Sequence, residues 1–243
     1  TGDVSNRNQL CKINDFSKIA KNNINKEIYR SMFLYDESIV PYLEKNETVT
    51  GFNGEQSIDK IVIDIDLIKN DNDKGNQTRK KVLDVTDAME KLLIDPLHYN
   101  IWFSGRGFHI HLANVYGFKD SNTLAKQVRA TMQRDFGKHI DLIYDSRRLI
   151  RAGFSHNKKS GLFKIPISYE ELETLSYEEI AKIAKAIRSD YKPHKIKQEH
   201  VISLEPMDMS RKNIAEVRKV FDNAKGETTR FITCAQHIYN AGH

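Results

Sequence analysis

Residues 61–68 form an apolar segment that two carboxylates interrupt, Ile-Val-Ile-Asp-Ile-Asp-Leu-Ile. Because side chains alternate between the faces of a strand, Asp64 and Asp66 share one face with Val62 and Ile68, and the other face is entirely apolar. This pattern predicts a buried, central strand. Two like charges side by side there are costly unless a cation neutralises them. A divalent metal is the simplest such cation; basic side chains, or exposure at the strand end, are the alternative.

Apolar residues recur at helical spacing in three later segments. This spacing predicts helices over residues 78–94, 121–136 and 176–187. The third begins at Ser176 and carries Glu179 three residues later, which is the pattern of a capping box. These helices alternate with extended chain, as expected for a mixed protein.

Extended segments follow the first and second of these helices. Residues 98–103 and 108–114 flank the glycine-containing turn 104–107, so they predict a β-hairpin. Further extended chain is expected over 140–151 and 162–167. From residue 61 onward the order is strand–helix–strand–strand–helix–strand. This order predicts an α+β fold with an RRM-like, split βαβ sheet that carries helices on one face and leaves the other free for a site.

Composition is typical of a globular protein. The chain has 243 residues, of which 39% are hydrophobic and 29% charged. It contains no apolar run long enough to span a membrane and no opening signal peptide, so we expect a cytoplasmic protein without a membrane partner. Its two cysteines, Cys11 and Cys234, do not suggest a disulfide framework or a cysteine-based zinc site. The net charge of +5 is compatible with a polyanionic partner but does not identify one.

The polarity of the chain predicts four parts. Residues 1–25 are rich in Asn and Lys and are expected to be a peripheral segment. Residues 26–190 would form the main domain, 191–209 a linker and 210–243 a helical accessory segment. The Cys-x-x-His pair at 234–237 leaves two alternatives open, half of a metal site or two unrelated residues of one helix.

The turn after residue 103 carries groups that suit a phosphate. Ser104 supplies a hydroxyl, the glycines let the backbone approach a ligand, and Arg106 supplies positive charge. His109 and His111 alternate onto one strand face. Because glycine-containing hairpins with an exposed arginine are common, this turn alone does not decide between a binding site and a structural turn.

A third carboxylate, Asp141, precedes a basic run that is interleaved with apolar residues. The basic residues are Arg147, Arg148, Arg151, Lys158 and Lys159. Since the apolar neighbours need a core, we expect some of these basic side chains to face a cleft. Three carboxylates beside a basic, glycine-lined pocket suit two-metal nucleotidyl transfer, because hard divalent cations take oxygen ligands from Asp.

These motifs, in this order, resemble those of the archaeo-eukaryotic primase superfamily, the Prim-Pols. The D-x-D of the first motif corresponds to Asp64 and Asp66, and the S-G-x-G-x-H of the second to residues 104–109. The third motif corresponds to Asp141 and the segment 149–161. The resemblance covers roughly residues 25–190. It points to the compact Prim-Pols of viruses, plasmids and CRISPR loci.

The resemblance implies roles for ten residues. The catalytic, metal-binding residues would be Asp64, Asp66 and Asp141, which would hold two Mg²⁺ or Mn²⁺ ions. The nucleotide would be bound by Ser104, Arg106, His109, Arg151, His156, Asn157 and Lys159. The family often has a histidine where this chain has Asn157, with His156 beside it, so which of the two faces the triphosphate stays open. No zinc is expected, because the zinc knuckle of cellular primase small subunits has no counterpart here.

The implied activity is template-dependent nucleotidyl transfer. The protein would synthesise and extend short primers on single-stranded DNA from nucleoside or deoxynucleoside triphosphates and release pyrophosphate. The implied fold is the RRM-like catalytic core with an N-terminal α/β module and a C-terminal helical extension. Other domains of a longer chain, or CRISPR or replication proteins, would be further partners.

A different class of enzyme shares part of this pattern. His109-Ile110-His111 also resembles the histidine pair of HUH endonucleases, which are RRM-like and cut single-stranded DNA with a tyrosine nucleophile. The candidate nucleophiles would be Tyr144, Tyr169, Tyr177 and Tyr191. This alternative leaves Asp64, Asp66 and the loop up to Gly161 largely unexplained. A sugar-nucleotide transferase would use the same carboxylates, but the first 60 residues lack the nucleotide-binding domain that it needs.

Overall fold

The structure is a computed structural model, which describes residues 9–23, 26–68, 73–199 and 202. The predicted accessory segment 210–243, with its pair at 234–237, lies outside the described residues. Over the described residues the chain is a mixed α+β protein with small antiparallel sheets and several helices. This confirms the predicted fold class at that level.

The helices are α1 (Ile13–Asn22), α2 (Ile39–Asn46), α3 (Lys74–Lys91), α4 (Leu124–Phe136), α5 (Tyr169–Thr174) and α6 (Tyr177–Ile183). The strands are β1 (Tyr29–Ser31), β2 (Leu34–Tyr35), β3 (Gln56–Ser57), β4 (Ile61–Ile65), β5 (Tyr99–Phe103), β6 (Phe108–Leu112), β7 (Leu149–Arg151), β8 (His156–Asn157), β9 (Leu162–Phe163) and β10 (Ile165–Ile167).

The main sheet has four strands in the order β10–β5–β6–β4, and every neighbouring pair is antiparallel. β5 and β6 are the predicted hairpin, with Phe103 opposite Phe108. β4 pairs with β6 so that Asp64 lies opposite His109. All five residues of β4 are buried, as its apolar pattern predicts.

β4 lies at an edge of this hydrogen-bonded sheet, so the prediction of a central strand is wrong. On its outer side an isolated bridge joins it to Asp141, whose N–H donates to the Asp64 carbonyl over 2.9 Å. The predicted extended segment 140–151 turns away after this bridge, because Ile143 and Asp145 each donate an N–H to the residue two places earlier. Its last three residues form β7, which pairs with β1.

α3 and α4 follow the predicted helical spacing. Their buried apolar residues include Val82, Val85, Met89, Leu124, Val128 and Met132. α3 contacts β4, β6 and α4, so these apolar stripes form the core beside the sheet. α4 begins later than the predicted Ser121, because Ser121 exchanges backbone hydrogen bonds with Gln56.

The predicted strand 162–167 is two strands that belong to different sheets. β9 pairs with β8, whereas β10 joins the main sheet beside β5. Lys164 lies between them; its N–H donates to the Ser155 carbonyl and its carbonyl accepts from the Phe154 N–H. Phe154 adopts a positive φ of 60° at this point. The break aims the Lys164 side chain into the interior, where it is fully buried.

The remaining elements are small. β1 pairs with β7, β2 with β3 and β8 with β9. After α6, residues 189–199 form no helix or strand, but the Lys197 N–H donates to the Leu97 carbonyl over 2.9 Å. The described part of the predicted linker 191–209 thus contacts the main domain. Of the helices in the described ranges, none is long and apolar enough to cross a bilayer.

Candidate active site

Three aspartates from distant parts of the chain meet at the end of β4. Asp64 lies within the strand and is buried, whereas Asp66 follows the strand end and is exposed. Asp141 donates its N–H to the Asp64 carbonyl, and Asp66 donates its N–H to the Asp141 carboxylate at Oδ2, each over 2.9 Å. These hydrogen bonds therefore bring together the three aspartates that the sequence predicts as catalytic.

The surroundings of Asp66 disfavour the charged form of its carboxylate. Although the Asp66 side chain is exposed, partial desolvation by the surrounding protein raises its pKa most, and the negative charges of Asp64 and Asp141 raise it further. The positive charges of Arg106 and Arg148 lower it but do not cancel the rise. The charged form of Asp66 is therefore disfavoured in the folded protein, mainly by desolvation.

Asp64 has closer partners. Burial acts to raise its pKa, but a hydrogen bond from His109 and the charges of Arg148 and Lys164 outweigh burial and leave the pKa lowered. His109 Nε2 lies 3.3 Å from Asp64 Oδ1, and Arg148 Nη2 lies 3.8 Å from Oδ2. The alternative expectation therefore fits both residues, because Asp64 has basic partners and Asp66 is exposed at the strand end.

The carboxylates are the right kind of ligand for Mg²⁺ or Mn²⁺, since both ions prefer carboxylate oxygens. In the part of the chain that the structure describes, however, no group of three or more His, Cys, Asp or Glu side chains is arranged to hold a metal ion. The carboxylates match a divalent cation in type and charge. In this structure, however, the Asp64 carboxylate faces His109, and the Asp141 carboxylate accepts from the Asp66 N–H.

The turn of residues 104–107 packs directly onto the end of β4. Ser104 donates its N–H to the Gly107 carbonyl over 2.9 Å, and its hydroxyl accepts from the Gly107 N–H over 3.2 Å. A Cβ on Gly107 would lie 2.3 Å from the Ile65 carbonyl oxygen and 3.1 Å from Asp66 Cα. Gly105 has a φ of +91°. The two glycines therefore allow this turn to reach the aspartates.

β8 contacts the same turn through its last residue, Asn157. The buried Asn157 side chain would lie 3.1 Å from a Cβ on Gly105, and its Nδ2 is 3.5 Å from the Ser104 carbonyl oxygen. Its Oδ1 accepts from the Lys159 N–H over 3.1 Å. The His156 ring instead packs against Phe163, with 5.0 Å between centroids. Of the two neighbouring candidates, Asn157 is the one that lies against the turn.

Two exposed basic side chains flank this region. Arg106 is on the turn, and its charge acts on Asp66. Lys159 is on the loop and is exposed. Among the described residues, neither side chain has a hydrogen-bond or ion-pair partner, so the charge of each can be presented to a phosphate.

Arg151 makes several hydrogen bonds to neighbouring elements. Its Nη1 donates to Glu27 Oε1 over 3.1 Å and to the His156 carbonyl over 2.9 Å, and its Nη2 donates to the Tyr29 hydroxyl over 2.7 Å. These contacts tie β7 to β1 and to the segment before it. The guanidinium of Arg151 is therefore engaged within the protein, and its contact with a nucleotide stays a prediction.

A buried lysine that the sequence prediction missed lies behind the carboxylates. Lys164 Nζ is 2.8 Å from His109 Nδ1 and 3.0 Å from His111 Nε2. Burial, and then the charge of Lys164, lower the pKa of His109 to about 4, so its imidazole is neutral at neutral pH. The available signal was a single charged residue in the apolar run 162–167, the same kind of signal that Asp64 gives.

The candidate site therefore consists of three aspartates, a glycine turn, the Asn157 loop and a buried Lys–His group. The scan of the chain against protein-family models finds no matching family, and the search of curated proteins finds no relative.

Proposed function

We propose that this chain is a template-dependent nucleotidyltransferase of the archaeo-eukaryotic primase type, which makes and extends short primers on single-stranded DNA. The observation that carries the proposal is the meeting of Asp64, Asp66 and Asp141 beside the turn 104–107. A cluster of carboxylates next to a glycine turn with basic neighbours suits transfer of a nucleotide from a triphosphate.

The strand order supports an RRM-like core. β4 and β5 are both antiparallel to β6, which lies between them, so they run parallel and α3 connects them. On the side of β4 that faces away from β6, Asp141 pairs with Asp64 through an isolated bridge. In this proposal the order Asp141–β4–β6–β5 would correspond to a split βαβ sheet in which one bridge stands in place of the fourth strand, and β10 would extend the opposite edge.

In this proposal Asp64, Asp66 and Asp141 would hold two Mg²⁺ or Mn²⁺ ions. When bound, the ions would acidify the attacking hydroxyl and neutralise the leaving pyrophosphate. The 3′-hydroxyl oxygen of one nucleotide forms a bond to the α-phosphorus of the next. The bond from that phosphorus to the pyrophosphate oxygen breaks, and the hydroxyl proton passes to solvent.

The rest of the site would position the triphosphate. The close approach of the turn 104–107 to β4 leaves little distance between its backbone and the aspartates. Arg106 and Lys159 would pair with phosphate oxygens, and Asn157 would hold the loop against the turn. The net charge of +5 suits a nucleic-acid template bound mainly through its phosphates.

The HUH endonuclease alternative has less support in this geometry. Its metal would need the imidazoles of His109 and His111, but Lys164 Nζ lies within 3.0 Å of one nitrogen of each ring. Of the candidate nucleophiles, Tyr144 is buried and the Tyr177 hydroxyl donates to the Arg106 carbonyl over 2.7 Å. We therefore keep nucleotidyl transfer as the proposal.

The test is incorporation of labelled nucleotide on a single-stranded template with Mg²⁺ or Mn²⁺. The Asp64→Ala/Asp66→Ala double variant should lose incorporation and largely keep DNA binding, measured by fluorescence anisotropy. The matched control is Asp87→Ala/Glu90→Ala, which removes two exposed carboxylates from α3 and should keep both. Synthesis by the Asp64/Asp66 variant would refute the proposal. A covalent protein–DNA adduct that depends on a tyrosine would favour the HUH alternative.

A further inference from the structure

Tyr29 is an exposed aromatic residue on the outer face of the two-stranded sheet that β1 and β7 form. It lies directly opposite Arg151, and Ser31 lies opposite Leu149, so these side chains share one face of the sheet. Tyr29 is 42% exposed and Leu149 is also exposed, whereas Ile150 on the other face is buried. The outer face therefore presents an aromatic ring and an apolar side chain to solvent.

The Tyr29 ring is held in place by a largely buried ion pair. Arg151 Nη2 donates to the Tyr29 hydroxyl over 2.7 Å, and the guanidinium carbon lies 4.8 Å from the ring centre. The hydroxyl donates to Glu27 Oε1 over 3.4 Å, and Arg151 Nη1 pairs with the same oxygen over 3.1 Å. A ring that is already fixed loses little freedom on binding, so it is suited to stack on a ligand.

Two exposed lysines lie beside this ring. Lys158 donates its N–H to Glu27 Oε1 over 3.3 Å, and this oxygen also contacts the Tyr29 hydroxyl. The Lys26 carbonyl accepts from the N–H of the first residue of β8 over 3.3 Å. In the part of the chain that the structure describes, neither lysine ammonium has a hydrogen-bond or ion-pair partner. Because Arg151 neutralises Glu27, the charge that remains beside the ring is positive.

An aromatic ring beside unpaired lysines suits single-stranded DNA. Every base has a flat face that can stack on an aromatic side chain, and the phosphates of the strand can pair with lysines. We propose that Tyr29 is a stacking platform for a base of single-stranded DNA and that Lys26 and Lys158 contact the adjoining phosphates. Duplex DNA fits this surface less well, because its bases are already stacked on one another.

The platform adjoins the candidate active site through residues 156–159. On one side this segment is hydrogen-bonded to Arg151 and Glu27, which hold the platform. On the other side its buried asparagine lies against the turn 104–107. The inference rests on the proposed function only for the identity of the strand as a template. Binding of the strand needs neither nucleotide nor metal, so it can be measured separately.

The first test uses the wild-type protein without metal or nucleotide. Fluorescence anisotropy compares a labelled oligo(dT) strand with a strand of equal length in which abasic sites replace the bases, and with a duplex. We expect the abasic strand to bind about fivefold to a hundredfold more weakly, because stacking is lost while the phosphates remain. Equal affinity for the oligo(dT) and abasic strands, or tighter binding of the duplex, would overturn the inference.

The second test compares Tyr29→Ala with the control Tyr169→Ala. Tyr169 is similarly exposed, at 44%, but acidic residues of α3 and α5 lie around its hydroxyl. We expect Tyr29→Ala to bind oligo(dT) about fivefold to a hundredfold more weakly and to lose its preference over the abasic strand. Tyr29→Phe, which keeps the ring, and Tyr169→Ala should bind like the wild type. Undiminished binding by Tyr29→Ala, or an equal loss in Tyr169→Ala, would refute the platform.

The third test separates the phosphate contacts from stacking. Lys26→Gln/Lys158→Gln should lower the slope of log affinity against log salt by about 1.4, because each phosphate contact on a single strand contributes about 0.7. Tyr29→Ala should leave this slope unchanged, since the ring carries no charge. A wild-type slope in the double lysine variant would refute the phosphate contacts.

Failure of this inference can be told from failure of the proposed function. A protein that binds the strand through Tyr29 but incorporates no nucleotide would contradict the proposed function and leave the platform intact. A protein that synthesises primers but binds oligo(dT) equally well after Tyr29→Ala would support the proposed function and refute the platform.

Discussion

At the scale of single residues, Gly107 shows how tightly the candidate site is built. Its position beside the Ile65 carbonyl leaves no room for a Cβ, which would lie 2.3 Å from that oxygen. A side chain here must displace either the turn or the end of β4, where Asp66 follows. The glycine therefore couples the turn to the aspartates by close packing.

Gly107→Ala should destabilise the protein by about 1–3 kcal/mol and reduce nucleotide incorporation, because the added methyl overpacks the strand end. Denaturant unfolding and the incorporation assay would measure the two effects. Gly161→Asn is the control for stability, since Gly161 has a φ of +72° that Asn tolerates and a Cβ there would meet nothing within 4 Å. A Gly107→Ala protein as stable as this control would contradict the packing argument.

Asp66→Asn should make the protein more stable at neutral pH. The pKa of Asp66 is raised by folding, so the folded protein binds this proton more readily than the unfolded chain, and stability is lost as the pH rises through that pKa. The gain should be below about 1 kcal/mol because the side chain is exposed. It should vanish in acid, below the normal pKa of Asp.

Thermal unfolding over a pH series would measure this difference between Asp66→Asn and wild type. Mn²⁺ should raise the melting temperature of the wild type more than that of the variant, because only the wild type keeps the full set of carboxylate ligands. A variant less stable than the wild type at neutral pH would show that Asp66 is not under charge repulsion.

At the scale of elements, α6 supports the turn 104–107 from outside. Ser176 and Glu179 form the predicted capping box at its start. The next residue, Tyr177, packs its ring on Phe103 and Phe108 and donates its hydroxyl to the Arg106 carbonyl over 2.7 Å. The helix start and the turn are therefore joined by one hydrogen bond and two ring contacts.

Tyr177→Phe should cost about 1 kcal/mol of stability and raise the KM for nucleotide, because it removes the hydrogen bond to the Arg106 carbonyl and keeps the ring contacts. Ser168→Ala is the matched control; it removes the N-cap of α5, where Ser168 Oγ accepts from the Glu171 N–H, and should cost about 1 kcal/mol without changing KM. Steady-state kinetics and unfolding curves on both variants would separate the two effects. An equal change in KM in both would argue against a link between α6 and the turn.

The sequence predicts an element well where interactions between residues close in the chain determine it. The apolar spacing of α3, the glycine hairpin of β5 and β6 and the capping box of α6 are all local features, and each prediction is confirmed. The edge position of β4 could not be read in this way, because it depends on which distant segment pairs with it. The division at Lys164 depends on tertiary contacts with Ser155 and the histidines.

At the scale of the whole molecule, the candidate site also combines features that the sequence predicts with features that depend on distant contacts. The sequence indicates Asp64, Asp66, Asp141 and the turn by residue type and spacing, and the structure brings these together. It could not indicate that Arg151 is engaged by Glu27 and Tyr29, because those partners lie more than a hundred residues away. Charge alone does not tell a ligand-binding arginine from a structural one.

Binding of single-stranded DNA should weaken steeply as salt rises, because a protein of net charge +5 would bind mainly phosphates. Lys159→Ala should lower the slope of log affinity against log salt by about 0.7 if this side chain contacts one phosphate. Fluorescence anisotropy titrations would measure it, with Lys45→Ala on α2 as the control that leaves the slope unchanged. Binding insensitive to salt would contradict an electrostatic template site.

The central claim is that the chain copies a template by nucleotidyl transfer. Its most direct measurement is incorporation of each α-labelled nucleotide, in the ribo and deoxy forms, on homopolymer DNA templates with Mg²⁺ or Mn²⁺. We expect that on poly(dT) only adenine nucleotides are incorporated, that on poly(dC) only guanine nucleotides are, and that pyrophosphate is released in step. Incorporation that ignores the template base, or none with either sugar and either metal, would contradict it.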